Sequence, residues 1–162
     1  EACRTAKTEP SQLIHRIASM NDEIKSLSSE NEKLKAKLAN EAVGDVLANV
    51  QEIGSFRFLP VSVADVDMNG LRTLGDNMKD KIGSGIVILA STQGDKVNII
   101  AMATDDAVAK GAHAGNLIKA VAPIVGGGGG GRPNMAQAGG KNPAGIDEML
   151  AKAAEVAAQQ LQ

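Results

Sequence analysis

Gly85-Ile-Val-Ile-Leu-Ala90 and Val97-Asn-Ile-Ile-Ala-Met-Ala103 are two apolar runs joined across Gln93-Gly94-Asp95. Apolar residues at successive rather than alternate positions mean burial on both faces, so the pair reads as a hairpin of interior strands covered by helices. The covering helices stand on either side in the sequence. Asp67 can cap a helix whose inner face is Leu71, Leu74, Met78 and Ile82. Ala114 to Val125 reads as a helix with Leu117, Ile118, Val121 and Val125 inward, followed by a glycine-rich loop. Ile146 to Leu161 closes the chain as a helix on Ile146, Met149, Leu150, Ala153, Val156, Ala157 and Leu161. Asp147 and Glu148 suit its positive N-terminal end. Phe56-Arg-Phe-Leu-Pro-Val-Ser-Val63 alternates like a strand, and Pro60, which cannot donate to a ladder, argues for an edge position. The expected class is α/β (α+β), with a small mixed β-sheet covered by helices.

Ahead of this body, residues 10 to 41 read as one long helix. Leu13, Met20, Leu27 and Leu34 recur every seven residues, and Ile17, Ile24, Asn31 and Leu38 form a second such series. Together they make the d and a seam of a coiled coil, an oligomerisation seam if it meets its own copy. Pro10 fits a first helical turn. Asp22 with Lys25, Glu30 with Lys33 and Glu32 with Lys35 are i,i+3 pairs on the wet side. Two partners fit the seam: another helix of the same protein, or a second copy in a parallel dimer with Asn31 fixing register. About four heptads is short for an autonomous zipper, which favours the first. The expected organisation is a helical arm over residues 1–43 and a compact globular domain over 44–162, with a glycine-rich loop at 126–131.

Composition narrows the function. The 162 residues carry a net charge of −2, which excludes a strongly basic nucleic-acid coat protein. Cys3 is the single cysteine, so there is no disulfide framework, and no Cys/His cluster has zinc spacing. The sequence holds no run of about 18 apolar residues, the length that would span a membrane, and no signal-peptide pattern stands at the start. Residue 1 is Glu, so a cytoplasmic piece of a longer protein is expected. With no Trp or Tyr, and only Phe56 and Phe58, the core must be aliphatic, with Met as filler.

The chemistry concentrates between Lys110 and Gly145. Gly126, Gly127, Gly128, Gly129, Gly130 and Gly131 are consecutive and run into Arg132-Pro133-Asn134-Met135-Ala136-Gln137-Ala138-Gly139-Gly140-Lys141. Ordering glycine is entropically expensive. One use of clustered glycine is close approach of backbone N–H groups to an anion. From Ala107 to Ile146 there is no Asp or Glu, while Lys110, Lys119, Arg132 and Lys141 are present, so phosphate is the natural guest. A P-loop would need Lys-[Ser/Thr] where Arg132-Pro133 stands, and a Rossmann turn would follow a strand, not an apolar helix. Single strands usually need aromatic platforms, and both phenylalanines are far from the loop in sequence. A folded nucleic acid, read by shape and backbone, remains for the amides, Arg132 and Gln137. A disordered linker before the last helix is the bland alternative. No catalytic constellation is visible.

The string from Val125 to Gly140 resembles the C-terminal signature of alanyl-tRNA synthetases, which lies in the DHH-associated domain shared with RecJ-like phosphodiesterases. Lys110-Gly-Ala-His-Ala-Gly115 resembles the Lys-Gly-x-His-Ala-Gly stretch of the same family, and the arm, with Glu9-Pro10-x-x-Leu13, resembles its helical arm. The resemblance implies a non-catalytic module that binds the folded elbow of tRNA(Ala) and helps present it to upstream aminoacylation and editing centres. It also implies oligomerisation in some members. Partners would be the tRNA, the upstream domains and a second copy through the arm, with no membrane. The parent would use ATP with magnesium, and zinc in its editing region; no cofactor is expected in this fragment. Some members have lysine at the position of Gly128 and aspartate at Asn134, which leaves any contact through residue 128 in doubt. Two alternatives stand beside this reading: the substrate-binding half of a DHH-family phosphodiesterase, and a pure coiled-coil dimerisation module.

Single residues keep two readings. His113 could donate to a phosphate or ribose, or bond a backbone carbonyl where its helix begins. Gln137 could bond nucleic acid or the loop's own backbone. Asp105-Asp106 reads as a helix cap or a solvated pair rather than a metal site, His15 as solvated, and Cys3 as unreactive.

Overall fold

The computed structural model describes residues 9–161, and for residue 32 and residues 35–47 it describes the backbone alone. The chain separates into two compact units, Glu1–Leu34 and Lys35–Gln162.

A short 3-10 turn at Pro10–Gln12 leads into α1 (Leu13–Val46). Along the seam Ile24, Leu27 and Leu34 are 61%, 58% and 55% exposed, and Ile17 and Met20 are also exposed. Asn31 is exposed and Leu13 partly so. Leu38 lies outside the described side chains. Asp22 with Lys25 and Glu30 with Lys33 form no ion pairs within 4 Å. Glu32 and Lys35 also lie outside the described side chains.

The body is a six-stranded sheet in the order β1-β2-β3-β4-β6-β5. Its strands are β1 (Gln51–Ile53), β2 (Phe56–Ala64), β3 (Gly85–Gln93), β4 (Lys96–Ala103), β5 (Gly128–Gly131) and β6 (Met135–Gly140). β2 and β3 are parallel, and every other neighbouring pair is antiparallel. A parallel pair needs a crossover, and α2 (Met68–Ile82) supplies it. Asp67 caps α2 as expected, its carboxylate accepting from the Gly70 N–H at 2.8 Å. Gly94-Asp95 closes the expected β3–β4 hairpin. β2 is not an edge strand in the sheet order. However, β1 covers only Phe56–Phe58, so Pro60 has β3 as its one neighbour and its missing N–H leaves no gap in the ladder.

Helices cover both faces of β3 and β4, which is why these strands are apolar at successive positions. On one face Leu71, Leu74, Met78 and Ile82 of α2 pack on Leu59, Val61, Val87, Leu89, Ile100 and Met102. On the other, α4 (Ala114–Val121) and α5 (Ile146–Gln160) pack on Phe58, Ile86, Ile88, Ile99 and Ala101. The short α3 (Asp105–Ala109) links β4 to α4. Leu117, Ile118, Val121 and Val125 are buried as expected, but the helix does not run to Val125. It tightens into a 3-10 turn at Ala122–Val125 around Pro123, whose ring is incompatible with a continuing α-helix.

The largest departure is at the glycines. Residues 128–131 are not a loop but the edge strand β5, paired with β6 in the register Gly128↔Gly139 to Gly131↔Ala136. Glycine has poor strand propensity, so the local signal is loop; here pairing and the packing of α4 impose the strand. Each second glycine is also sterically required. A Cβ at Gly127, Gly129 or Gly131 would come within 1.8, 2.2 and 2.5 Å of backbone atoms of residues 135–139, whereas a Cβ at Gly128 would meet nothing within 4 Å.

Candidate nucleic-acid interface

The two sequence motifs form one structural unit. The first turn of α4 carries unpaired N–H groups, as every helix start does. Two of them are satisfied at the tip of the β5–β6 hairpin: Ala114 N–H donates to the Pro133 carbonyl at 2.8 Å and Gly115 N–H to Arg132 at 3.2 Å. A Cβ at Gly115 would lie 2.5 Å from the Gly131 carbonyl oxygen, so this close approach needs glycine. His113 is the N-cap. Its Nδ1 accepts from the Asn116 N–H at 3.1 Å. It therefore bonds an amide, not the carbonyl expected of a structural role. In the neutral ring this leaves Nε2 as the protonated nitrogen. The His113 N–H is held by Gln160 Oε1 at 2.8 Å, which ties the last helix to the same corner.

The main-chain amides are less available than the sequence suggests. Gly126 N–H donates to Pro123, Gly127 N–H to Ala122, and Arg132 N–H to Met135. The bond from Arg132 to Met135 and that from Ala103 N–H to Asn134 fix the alternation of the ladder. Residues 135, 137 and 139 of β6 bond to β5, and the intervening ones to β4. Gly128 and Gly130 therefore turn their N–H groups into the sheet, and Gly129 and Gly131 turn theirs away from β6, Gly131 on the side where Gly115 of α4 approaches. Of the amides from 126 to 132 expected to form a cradle, those of 126, 127 and 132 are taken up by backbone carbonyls and those of 128 and 130 by the ladder.

Cationic side chains surround that edge. Arg132 is exposed at the hairpin tip, and Lys141 is exposed beyond the other end of β6. Lys119 reaches from α4 so that its Cε lies 3.5 Å from where a Cβ of Gly130 would sit. None of the three forms an ion pair within 4 Å among the described residues. Gln137, on β6, is exposed and its amide makes no hydrogen bond among the described residues, so it does not tie down the loop's own backbone. Lys110 ends α3 and is exposed, with no bond joining it to the hairpin. Gly139 and Gly140 lie in β6.

Two further basic residues escape a reading of the sequence alone. Lys96 shares a depression with Lys141, and Arg72 of α2 reaches the Met135 Sδ at 3.5 Å. Both lie outside the acid-free stretch, and only the pairing of β4 with β6 and the seating of α2 bring them here. Asp105 and Asp106 form the first turn of α3. The hydroxyls of Ser84 and Thr104 hold the Asp106 carboxyl below its usual pKa. No group of three or more His, Cys, Asp or Glu side chains among the described residues could hold a metal ion, and no described helix is long and apolar enough to cross a membrane. Phe58 is wholly buried and Phe56 partly so, which removes both as stacking platforms.

Comparison with known proteins gives concordant matches. The DHHA1 domain family matches residues 55–159. Alanine–tRNA ligase 1 of Lachnoclostridium phytofermentans is 61% identical over 99% of this chain and 18% of its own length. The alanine–tRNA ligase of Alkaliphilus oremlandii is 47% identical over the same shares. Among solved structures, the C-Ala domain of alanyl-tRNA synthetase from Aquifex aeolicus aligns with a TM-score of 0.59 at 29% identity, covering 69% of this chain and 96% of that one. The chain thus spans about a fifth of the length of the curated relatives it matches.

Proposed function

The chain belongs to the DHHA1 domain family, and from its likeness to the C-Ala domain of alanyl-tRNA synthetase we propose that it is the non-catalytic, tRNA-binding C-terminal module of an alanine–tRNA ligase. In this reading residues 44–162 grip the folded elbow of tRNA(Ala) through the β5–β6 hairpin, and residues 1–43 form the arm. The parent would join alanine to tRNA with ATP and magnesium and edit with zinc, in the cytoplasm, and the module would present the tRNA to both centres. The observation that carries the reading is an exposed edge strand without side chains, flanked by Lys119, Arg132 and Lys141, with which no carboxylate among the described residues is paired. Backbone and cations of this kind position a phosphate surface without reading bases. The identity to two ligases at 61% and 47% favours a synthetase over the phosphodiesterase alternative.

Arg132→Ala is expected to weaken tRNA(Ala) binding by about 1–3 kcal/mol, the value of one charge-assisted hydrogen bond, roughly 5- to 150-fold in Kd. Filter binding against a shape-matched RNA hairpin measures it. Unchanged affinity, or equal affinity of the unsubstituted chain for both RNAs, overturns the elbow assignment.

The exposed seam of Leu13, Ile17, Met20, Ile24, Leu27, Asn31 and Leu34 supports a homodimer through the arm, with Leu38 continuing the series. Sedimentation equilibrium is expected to give twice the chain mass, and Leu27→Glu with Leu34→Glu to give the monomer. A monomer without those substitutions excludes the dimer.

A further inference from the structure

At the end of the hairpin remote from Arg132 the sheet carries a depression of about 330 Å³, lined by Gly126, Gly127, Gly139, Gly140, Val97 and Asn98, with Lys96 and Lys141. Lys96 enters this place through register alone: it opens β4 after the Gly94-Asp95 turn, and Val97 pairs with Gly140. Both lysines are exposed, and neither lies within 4 Å of a carboxylate among the described residues, including the adjacent Asp95. The floor is Val97 and glycine backbone, and a Cβ at Gly139 would meet only the Val97 carbonyl oxygen at 3.9 Å. The amides here are occupied. Gly127 N–H donates to Ala122, and those of Lys141 and Asn142 both donate to the Val125 carbonyl. The positive potential of the depression is therefore that of two ammonium groups over a surface nothing obstructs. A lysine ammonium is a compact point charge suited to phosphate.

We propose that Lys96 and Lys141 form a phosphate subsite, separate from the Arg132 corner, that holds a second backbone phosphate of the same RNA. This rests on the RNA-binding reading above. Five extended residues, 136 to 140, lie between the two corners, which puts them roughly 20 Å apart at the rise of a strand, so one RNA strand or two facing strands meet both. Arg132 then sets one end of the footprint and Lys96 the other.

The full chain is titrated with tRNA(Ala) at several salt concentrations. Lys96→Ala is expected to weaken binding about five- to tenfold at low salt and to lower the slope of log K against log salt by about one, as follows when one fewer phosphate is neutralised. Lys96→Arg restores both, and Lys81→Ala on α2 changes neither. Gly139→Glu, which has room for its side chain, fills the depression with a carboxylate and is expected to exceed Lys96→Ala in effect. An unaltered slope in Lys96→Ala, or an equal fall in Lys81→Ala, overturns the subsite. Inorganic phosphate is titrated in parallel by NMR. The resonances of Lys96, Gly139 and Lys141 are expected to shift, and those of Lys96 and Lys141 to stay still in Gly139→Glu. Absent shifts in the unsubstituted chain overturn the subsite whatever tRNA does. Shifts with phosphate but no binding of tRNA keep the subsite and remove the RNA reading instead.

Discussion

Gly129→Ala is expected to destabilise the body by about 3 kcal/mol, the upper part of the range for overpacking a tight site, and to abolish tRNA binding. The added Cβ would lie 2.2 Å from the Gln137 carbonyl oxygen and 2.5 Å from Ala138 Cα, so β5 and β6 must separate. No flexible side chain is there to yield. Separation would also release the hairpin tip, whose Arg132 and Pro133 carbonyls accept from the first turn of α4, and so displace Arg132 from its place. Gly128→Ala, one residue earlier, meets nothing within 4 Å and is expected to fall within about 0.5 kcal/mol of the unsubstituted chain, as for an unconstrained surface change. Urea unfolding of the two variants, side by side, measures the contrast. Equal stabilities would mean that the glycines are a flexible tether, not a strand. The same open space explains how a lysine could stand at position 128: Gly128→Lys is accommodated, and it adds a cation beside the open edge.

Phe58→Ala is expected to lose about 3–5 kcal/mol of stability, the usual penalty for emptying a phenylalanine site in a core. That is a large share of the stability of an ordinary domain. Phe58 is fully buried, packs in the layer formed by Ile86, Ile88, Ile99, α4 and α5, and lies opposite Gln51 in the short pairing of β1 with β2. The affinity of the remaining folded protein for tRNA is expected to be unchanged, because the ring reaches no surface. Thermal unfolding and filter binding on the same preparation separate the two effects. A large loss of affinity with stability intact would make Phe58 a base-stacking platform, which its burial argues against.

Much of the body is legible in the sequence because its signals are local. Val87 and Ile88 face opposite layers, as do Ile99 and Ile100, so each run is apolar at successive positions. The Asp67 cap and the inner faces of α2 and α5 follow from spacing along one helix. The alternation Met135-Ala136-Gln137-Ala138 carries a strand signal too, since Ala136 and Ala138 are buried and Gln137 is exposed. The glycines on either side mask it. The seam of α1 is legible as a seam, but a heptad pattern has the same form whether its partner is a helix of the same chain or a second copy.

What the sequence by itself determined is the pairing of two-faced strands with amphipathic helices, and the concentration of cations in an acid-free stretch. Both depend on residues within a turn or a strand's length of each other. The tertiary structure decided that Gly128 to Gly131 form a strand edge, that Gly129 and Gly131 turn their amides away from β6, and that Lys96 and Arg72 join the hairpin. Those outcomes depend on register between strands far apart in the chain. Glycine has no side chain to announce its pairing, so the partner strand, and the helix start that buttresses it, set its conformation.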